Sequence, residues 1–229
     1  MTVLFVIATI ITFLTIDWFV QRRKERLAAK IAPATVPAQS NPIRLPAGIF
    51  FAPSHTWLNL FPSGKIRLGI DDFISRLLMR PEIVMLKKVN DRVKKGEPLI
   101  LLKEGKHHLT IRSPLEGDIL AVNDELPVNP DLLGDRLFTD GWGYIMKPRR
   151  PADVKGLLLG NESRAWIGQE FQRLRDLFAG LGRNNVMEPV LLQDGGPPIA
   201  GALVAMDDAV WQQLDREFLS VEESKGMIQ

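Results

Sequence analysis

The stretch LILLKEGKHHLTIRSPLEGDI, residues 99–119, decides how the centre of this sequence is interpreted. It runs from apolar residues into a short polar and basic segment, and then alternates as a strand does before Ser113-Pro114. Gly105 suits the positive φ of a tight turn, so the stretch predicts two strands joined as a hairpin. Lys106 lies at the tip of that hairpin. It is either an ordinary surface lysine or a chemically modified one.

The region from residue 49 to residue 148 predicts a compact β fold. Short strand-like runs alternate with turn residues, and residues 71–78 show the one-face spacing of a helix, with Asp71 as its N-cap. The predicted strands lie within 64–70, 82–89, 90–103, 108–114 and 116–123. Strands so short and so closely spaced leave no room for parallel crossover connections. We therefore expect a mainly β fold, antiparallel or barrel-like.

Composition limits the chemistry that the chain can perform. The 229 residues are 45% hydrophobic and 24% charged, which is typical of a globular protein. The absence of cysteine excludes disulfides, cysteine nucleophiles and cysteine-ligated metals. Of the three histidines, His55 is expected to be a hydrogen-bonded structural residue, and His107 and His108 are expected to lie in a solvated turn. The formal net charge of +2 is too small to indicate nucleic acid. We therefore predict no catalytic site, no metal site and no nucleic-acid partner.

The N-terminal segment MTVLFVIATIITFLTIDWFV, residues 1–20, predicts a transmembrane helix. Twenty helical residues span about 30 Å, the thickness of the hydrocarbon core of a bilayer. The basic run QRRKER, residues 21–26, follows at once, and no Lys or Arg precedes the apolar run. This asymmetry predicts a single-pass anchor in the inner (cytoplasmic) membrane, with the remaining chain in the cytoplasm. A cleaved signal peptide is the alternative. Residues 21–48 predict a basic flank and a proline-rich linker.

The C-terminal residues 149–229 predict a small α+β extension built as helix, hairpin and helix. The first helix is expected at 161–182, the hairpin within 188–206 and the second helix at 207–219. The second helix places these apolar residues on one face: Val210, Trp211, Leu214 and Phe218. The apolar faces of the helices either close on each other or on the β region, or they form a docking surface for a partner.

Six short segments of the β region carry a family resemblance through their order and spacing. They are FAPSHTWL (51–58), LGIDDF (68–73), VNDRVKKGEPL (89–99), SPLEGDILAVNDEL (113–126), NPDLL (129–133) and DGWGYIMK (140–147). Together they resemble the glycine cleavage system H proteins over residues 49–148. The resemblance implies a barrel-sandwich hybrid with a lipoyl-type hairpin, here in a membrane-anchored variant with a C-terminal extension.

The resemblance also implies a site for lipoate. The lipoyl-lysine of the family stands seven residues before the Ser-Pro pair, as Lys106 does here, and the glycine eleven residues after it corresponds to Gly117. Glu104 and Gly105 belong, with Gly117, to the implied recognition hairpin. The glutamate that the family has three residues before the lysine is Lys103 in this chain.

The implied function is that of a carrier without a catalytic site of its own. Lys106 would bear lipoate and shuttle a small group or reducing equivalents between partner enzymes at the membrane, of a redox or a glycine-cleavage type. The basic Lys103 keeps a second interpretation open, a structural or adaptor subunit of a membrane complex that carries no lipoate. A minor third interpretation is an adaptor of the membrane-fusion type, a class that usually separates its two domain halves by a long coiled coil.

Overall fold

The computed structural model of the protein describes residues 43–181 and 200–221. Nine β-strands lie in these two ranges, and the pairings between them are antiparallel. The strands are β1 (Phe50–Ala52), β2 (Thr56–Leu60), β3 (Ile66–Ile70), β4 (Glu82–Met85), β5 (Arg92–Val93), β6 (Pro98–Glu104), β7 (His107–Arg112), β8 (Gly117–Val122) and β9 (Trp142–Pro148).

Helices connect and follow these strands. The α-helices of the described ranges are α1 (Asp72–Leu77), α2 (Glu125–Val128), α3 (Asn161–Leu181) and α4 (Asp208–Phe218), and short 3-10 helices span Pro130–Leu133 and Pro151–Gly156. The N-cap of α1 is Asp71, whose carboxylate accepts a hydrogen bond from the Ile74 amide at 3.0 Å. The predicted cap is therefore confirmed, and it satisfies an amide that the first turn of a helix leaves without a partner.

The strands form two sheets that share a main hydrophobic core. The order of the larger sheet is β1-β2-β3-β9-β8-β5, and that of the smaller sheet is β4-β6-β7. The sheets approach closely, because a Cβ added to Gly143 of β9 would lie 2.6 Å from Ile100 Cδ1 of β6. The Tyr144 hydroxyl of β9 also donates a hydrogen bond to the carbonyl of Leu99 in β6 at 2.8 Å. The expected antiparallel barrel-sandwich fold is confirmed.

The two helices of the extension begin and end near their predicted positions. The apolar face of α4 is buried as predicted, with Val210, Trp211, Leu214 and Phe218 each at most 3% exposed. These side chains belong to the same core cluster as the strands. The apolar faces therefore close on the β region. Of the two alternatives, closure of these faces is confirmed, and a docking surface made by them is not.

Several predictions fall wholly or partly outside the described residues. The transmembrane helix at 1–20 and most of the linker at 21–48 lie there, and so does most of the hairpin predicted within 188–206. Residues 200–206 are described and form turns rather than a strand. Within 43–181 and 200–221, no helix is long and apolar enough to cross a membrane. The domain boundaries at residues 20, 48 and 148 stay predictions.

Candidate functional site

The hairpin between β6 and β7 ends in the two-residue turn Gly105-Lys106, flanked by the cross-strand pair Glu104 and His107. Gly105 has a φ of +62°, whereas Lys106 does not have a positive φ. This combination is a type II′ turn, whose twist matches that of the flanking strands. A side chain at the glycine position would cost about 1–2 kcal/mol. The turn therefore fixes the backbone at the tip of the hairpin.

Lys106 presents its amine to solvent at this tip. Its side chain is 76% exposed, and Nζ lies 3.1 Å from Oδ1 of Asp208, the first residue of α4. Asp208 is itself 60% exposed, so the ion pair belongs to the class worth about 1 kcal/mol or less. A Cβ added to Gly105 would meet no atom within 4 Å. The space around the tip is open, and a group attached to Lys106 would have room to move.

Helix α4 lies along the outer edge of β7. This strand is an edge strand of the smaller sheet, and such edges carry amides without a strand partner. The carboxylate of Asp215 in α4 accepts the amide of Thr110 at 2.6 Å. Asp215 also lies 3.8 Å from the guanidinium of Arg112. The helix thus covers the edge at which another strand would otherwise pair.

The start of α4 also holds His107. The imidazole lies parallel to the Trp211 ring, with centroids 5.0 Å apart and an angle of 7° between the planes. Its Nδ1 lies 2.9 Å from Asp208 Oδ1, and the His107 side chain is only 13% exposed. The sequence interpretation of both neighbouring histidines as a solvated turn is therefore wrong for His107, while His108 is exposed.

The two residues before the turn are engaged in bonds that brace the hairpin. Lys103 Nζ lies 3.3 Å from the carboxylate of Glu82, its partner across the β4–β6 pair. The Glu104 carboxylate accepts hydrogen bonds from the amides of Met79 at 3.1 Å and Arg80 at 2.9 Å. Glu104 therefore ties the hairpin to the loop after α1. The carboxylate in contact with Lys106 comes instead from Asp208 of the extension.

Gly117 does not lie at the hairpin. It is the first residue of β8 in the larger sheet and pairs with Pro148 of β9. A Cβ at this position would lie 2.5 Å from Met146 Cε and 2.6 Å from the Lys147 carbonyl. Glycine is needed here because the two strands approach too closely for a side chain. The structure brings together Lys106, Gly105 and Glu104, and it separates Gly117 from them.

A second group of charged side chains lies where the loop after β1 meets the extension; His55, Asp71 and Glu170 are buried there, and Arg173 is partly exposed. We call His55, Asp71, Glu170 and Arg173 the His55 cluster. His55 is fully buried, and its Nδ1 lies 2.7 Å from Asp71 Oδ2. Its Nε2 lies 3.7 Å from Glu170 Oε2, which is too long for a hydrogen bond and leaves an ionic contact. Arg173 Nη1 donates to both Glu170 oxygens, at 2.9 and 2.8 Å.

The charges in this cluster stabilise one another. Burial alone would lower the pKa of His55, but the nearby carboxylates of Asp71 and Glu170 outweigh burial and raise that pKa to about 9. Burial alone would raise the pKa of Glu170, but His55 and Arg173 hold it below its usual value. His55 and Glu170 are therefore both charged at neutral pH. The prediction that His55 is a hydrogen-bonded structural residue is confirmed.

Aromatic rings enclose the cluster and connect it to the extension. The His55 ring stacks on Phe73 of α1, with centroids 4.5 Å apart. The Arg173 guanidinium lies 4.6 Å from the centre of the Phe218 ring of α4, and it donates to the Glu217 carbonyl at 2.7 Å. The Arg173 side chain is itself 46% exposed, so it makes these contacts from the surface. The cluster joins the β region to α3 and α4 at a point that the sequence did not indicate.

Within 43–181 and 200–221, no three His, Asp or Glu side chains lie close enough together to hold a metal ion. The predictions of no metal site and no catalytic site stay predictions for the whole chain.

Two antiparallel sheets around one core, with an exposed lysine at the tip of a tight hairpin, define a domain of the lipoyl class of barrel-sandwich hybrids. The family model of the glycine cleavage H-protein matches residues 49–170. That match covers more than half of the 229 residues. The chain belongs to the glycine cleavage H-protein family.

Individual relatives match about half of this chain. The glycine cleavage system H protein of Shewanella woodyi is 32% identical over 126 residues, which are 55% of this chain and 98% of the relative. That of Chromobacterium violaceum is 33% identical over 114 residues, 50% of this chain and 89% of the relative. A solved structure of a glycine cleavage system H protein from Mycobacterium marinum is 24% identical, with a TM-score of 0.47, and covers 55% of this chain and 98% of its own. About half of this chain is therefore shared with such relatives.

Proposed function

We propose that this protein is a lipoyl carrier whose lipoyl group is attached to Lys106. The observation that carries the proposal is the exposed Lys106 amine at the tip of a type II′ turn, within a domain of the H-protein family. Attachment forms an amide bond between Nζ and the carboxyl carbon of lipoate. The activated carboxyl comes from an acyl adenylate, so Nζ gives up a proton and AMP leaves. When bound, lipoate supplies a redox-active dithiolane on a long flexible arm.

The residues around Lys106 fit such a group. The hairpin is braced on one side by Glu104 and on the other by Asp215, so motion is confined to the attached arm. Acylation removes the positive charge of Lys106 and with it the ion pair to Asp208. Asp208 keeps its 2.9 Å contact with His107 and remains open to water, so no buried carboxylate is left without a partner. The carrier itself needs no catalytic residue, because its partner enzymes perform the chemistry.

Lipoylation of the full-length chain in vitro tests this proposal. The chain is incubated with a bacterial lipoate ligase, lipoate and ATP, and the product is followed by intact mass. We expect one lipoyl group on the wild type and on Lys103→Arg, but none on Lys106→Arg. Lys103→Arg is the matched control, because it makes the same change on the same hairpin. A wild type that stays unmodified, or a Lys106→Arg variant that is modified equally, would contradict the proposal.

The carrier would be tethered to the cytoplasmic face of the inner membrane by residues 1–20. The apolar run and the basic flank that follows it support this placement. Its partner enzymes, of a redox or a glycine-cleavage type, would then act at the membrane. We expect the native protein to stay with the membrane pellet after carbonate extraction. Ile10→Asp with Ile11→Asp should release it, since each charge costs about 2.5–3.5 kcal/mol at a helix centre. Release of the wild type would refute the anchor.

A second candidate function is a structural or adaptor subunit that carries no lipoate. It is favoured by Lys103, which pairs with Glu82 and puts a basic residue where the family has a glutamate. The ligase experiment separates the two candidates, because an adaptor of this kind would stay unmodified. The two-residue turn between β6 and β7 leaves no place there for the long coiled coil of a membrane-fusion adaptor.

A further inference from the structure

We infer that an enzyme that modifies Lys106 recognises a composite surface, made of the β6–β7 hairpin and helix α4 of the extension. The inference deepens the proposed carrier function and rests on it. The partner is an enzyme that forms an amide on Lys106 Nζ. The family match ends at residue 170, before α4 begins, so the helix adds to the hairpin a surface that lies outside the matched region.

Helix α4 begins beside Lys106. The helix begins at Asp208, whose Oδ1 lies 3.1 Å from Lys106 Nζ. Its 11 residues extend about 16 Å. It follows β7 as far as Asp215, which holds the Thr110 amide. An interface of ordinary size covers roughly 800 Å² of each partner. A footprint of that size centred on Lys106 must include the first turns of α4.

Helix α4 is held in this position by its buried face. Its inner face buries four apolar side chains: Val210, Trp211, Leu214 and Phe218. Trp211 Nε1 also donates a hydrogen bond to the Leu203 carbonyl at 3.0 Å. Undocking the helix would expose all of this apolar surface to water and break that bond. An enzyme that approaches Lys106 therefore meets α4 in place.

Helix α4 presents polar and charged side chains beside Lys106. The residues Lys106, His108, Asp208, Gln212 and Arg216 share the lining of an open cavity of about 280 Å³. Asp208, Gln212 and Arg216 are exposed, and they change from acidic through uncharged to basic along the helix. A complementary partner carries a cation opposite Asp208 and an acid opposite Arg216. Strand addition at the β7 edge is closed to it, because α4 already covers that edge.

The composite surface is tested by changing its helix half alone. Gln212→Trp in the full-length chain puts a large side chain on the exposed face of α4, beside the cavity that Lys106 lines. Gln172→Trp is the matched control, since Gln172 is exposed on α3. The readouts are the rate of Lys106 lipoylation by the bacterial ligase, followed by mass, and the Tm. We expect Gln212→Trp to lower kcat/KM for the protein substrate about tenfold or more. Its Tm should equal that of the Gln172→Trp control.

Three further outcomes are decisive. Equal rates for the wild type, Gln212→Trp and Gln172→Trp would overturn the composite surface while leaving the carrier function intact. A wild type that is not modified at all would overturn the carrier function, and the inference with it. If Gln212→Trp lowers the Tm, Arg216→Glu replaces it, because this variant reverses a charge on the same exposed face without added bulk. A normal rate for a stable Arg216→Glu variant would equally overturn the composite surface.

Discussion

Replacing Trp211 with alanine is expected to lower the free energy of unfolding by about 3–5 kcal/mol. The side chain is 2% exposed, stacks on His107 of the hairpin and donates a hydrogen bond to Leu203. Its removal leaves a cavity between α4 and β7, and it leaves the Leu203 carbonyl without this hydrogen-bond donor. The loss should appear as a lower midpoint in urea denaturation at neutral pH. Amide exchange at Thr110 should also quicken, because α4 would no longer hold Asp215 firmly against β7.

The control for this substitution lies on the other face of the same helix. Gln212 is exposed, and Gln212→Ala should change the free energy of unfolding by about 0.5 kcal/mol or less. A Trp211→Ala variant as stable as Gln212→Ala would show that the extension contributes little to the fold. It would also contradict the composite surface, since a weakly held α4 can move aside when an enzyme approaches Lys106.

Replacing His55 with leucine is expected to cost about 3–5 kcal/mol, because it leaves buried carboxylates without their cation. Asp71 loses its 2.7 Å partner, and Glu170 keeps only Arg173 within the cluster. His55 also has a φ of +57°, a conformation that leucine rarely adopts. The control is His55→Asn, because asparagine tolerates this φ better. The loss shared by both variants measures the charge, and the additional loss in His55→Leu measures the backbone strain.

The same cluster predicts how stability depends on pH. The pKa of His55 is raised from 6.5 to about 9 in the folded protein. Its contribution to the free energy of unfolding is therefore complete below pH 6.5 and disappears as pH rises through about 9. The shift corresponds to about 3 kcal/mol. Glu170 acts in the opposite sense, since its lowered pKa gives a contribution that is lost as pH falls. Urea denaturation between about pH 6.5 and 9.5 measures the His55 term, and an equal decline in His55→Leu would contradict it.

Features that depend on neighbouring residues could be predicted from the sequence. Gly105 indicated the tight turn that places Lys106 at a hairpin tip, and the spacing of Trp211, Leu214 and Phe218 indicated the buried face of α4. Both signals are local, because a turn needs one positive φ and an amphipathic helix repeats its apolar residues every three or four positions. The ordered H-protein segments added the fold of the β region.

Contacts between distant residues could not be predicted in this way. Asp208 and Lys106 are about one hundred residues apart, and each alone has the appearance of a solvated surface charge. The pairing of His55 with Glu170 has the same character, since these two residues are also more than one hundred positions apart. Only the docking of α3 and α4 on the β region brings these groups together.

Residues 200–206 were predicted to belong to a hairpin strand, but they form turns. Tertiary hydrogen bonds take the place of the expected strand pairing. The Gly201 amide donates to the Arg76 carbonyl at 2.8 Å, and the Leu203 amide donates to the Leu77 carbonyl at 3.1 Å. Gly201 has a φ of +75°, which bends the chain away from an extended path. These bonds satisfy carbonyls at the end of α1 that a helix leaves free.

Attachment of lipoate to Lys106 is the central claim, and the mass of the native protein tests it most directly. The full-length chain is purified from the cells that naturally produce it, grown with lipoate. Its intact mass is measured, and the modified peptide is then identified by tandem mass spectrometry. We predict the polypeptide mass plus one lipoyl group, located on the peptide that contains Lys106. An unmodified chain, or a lipoyl group on another lysine, would contradict the claim.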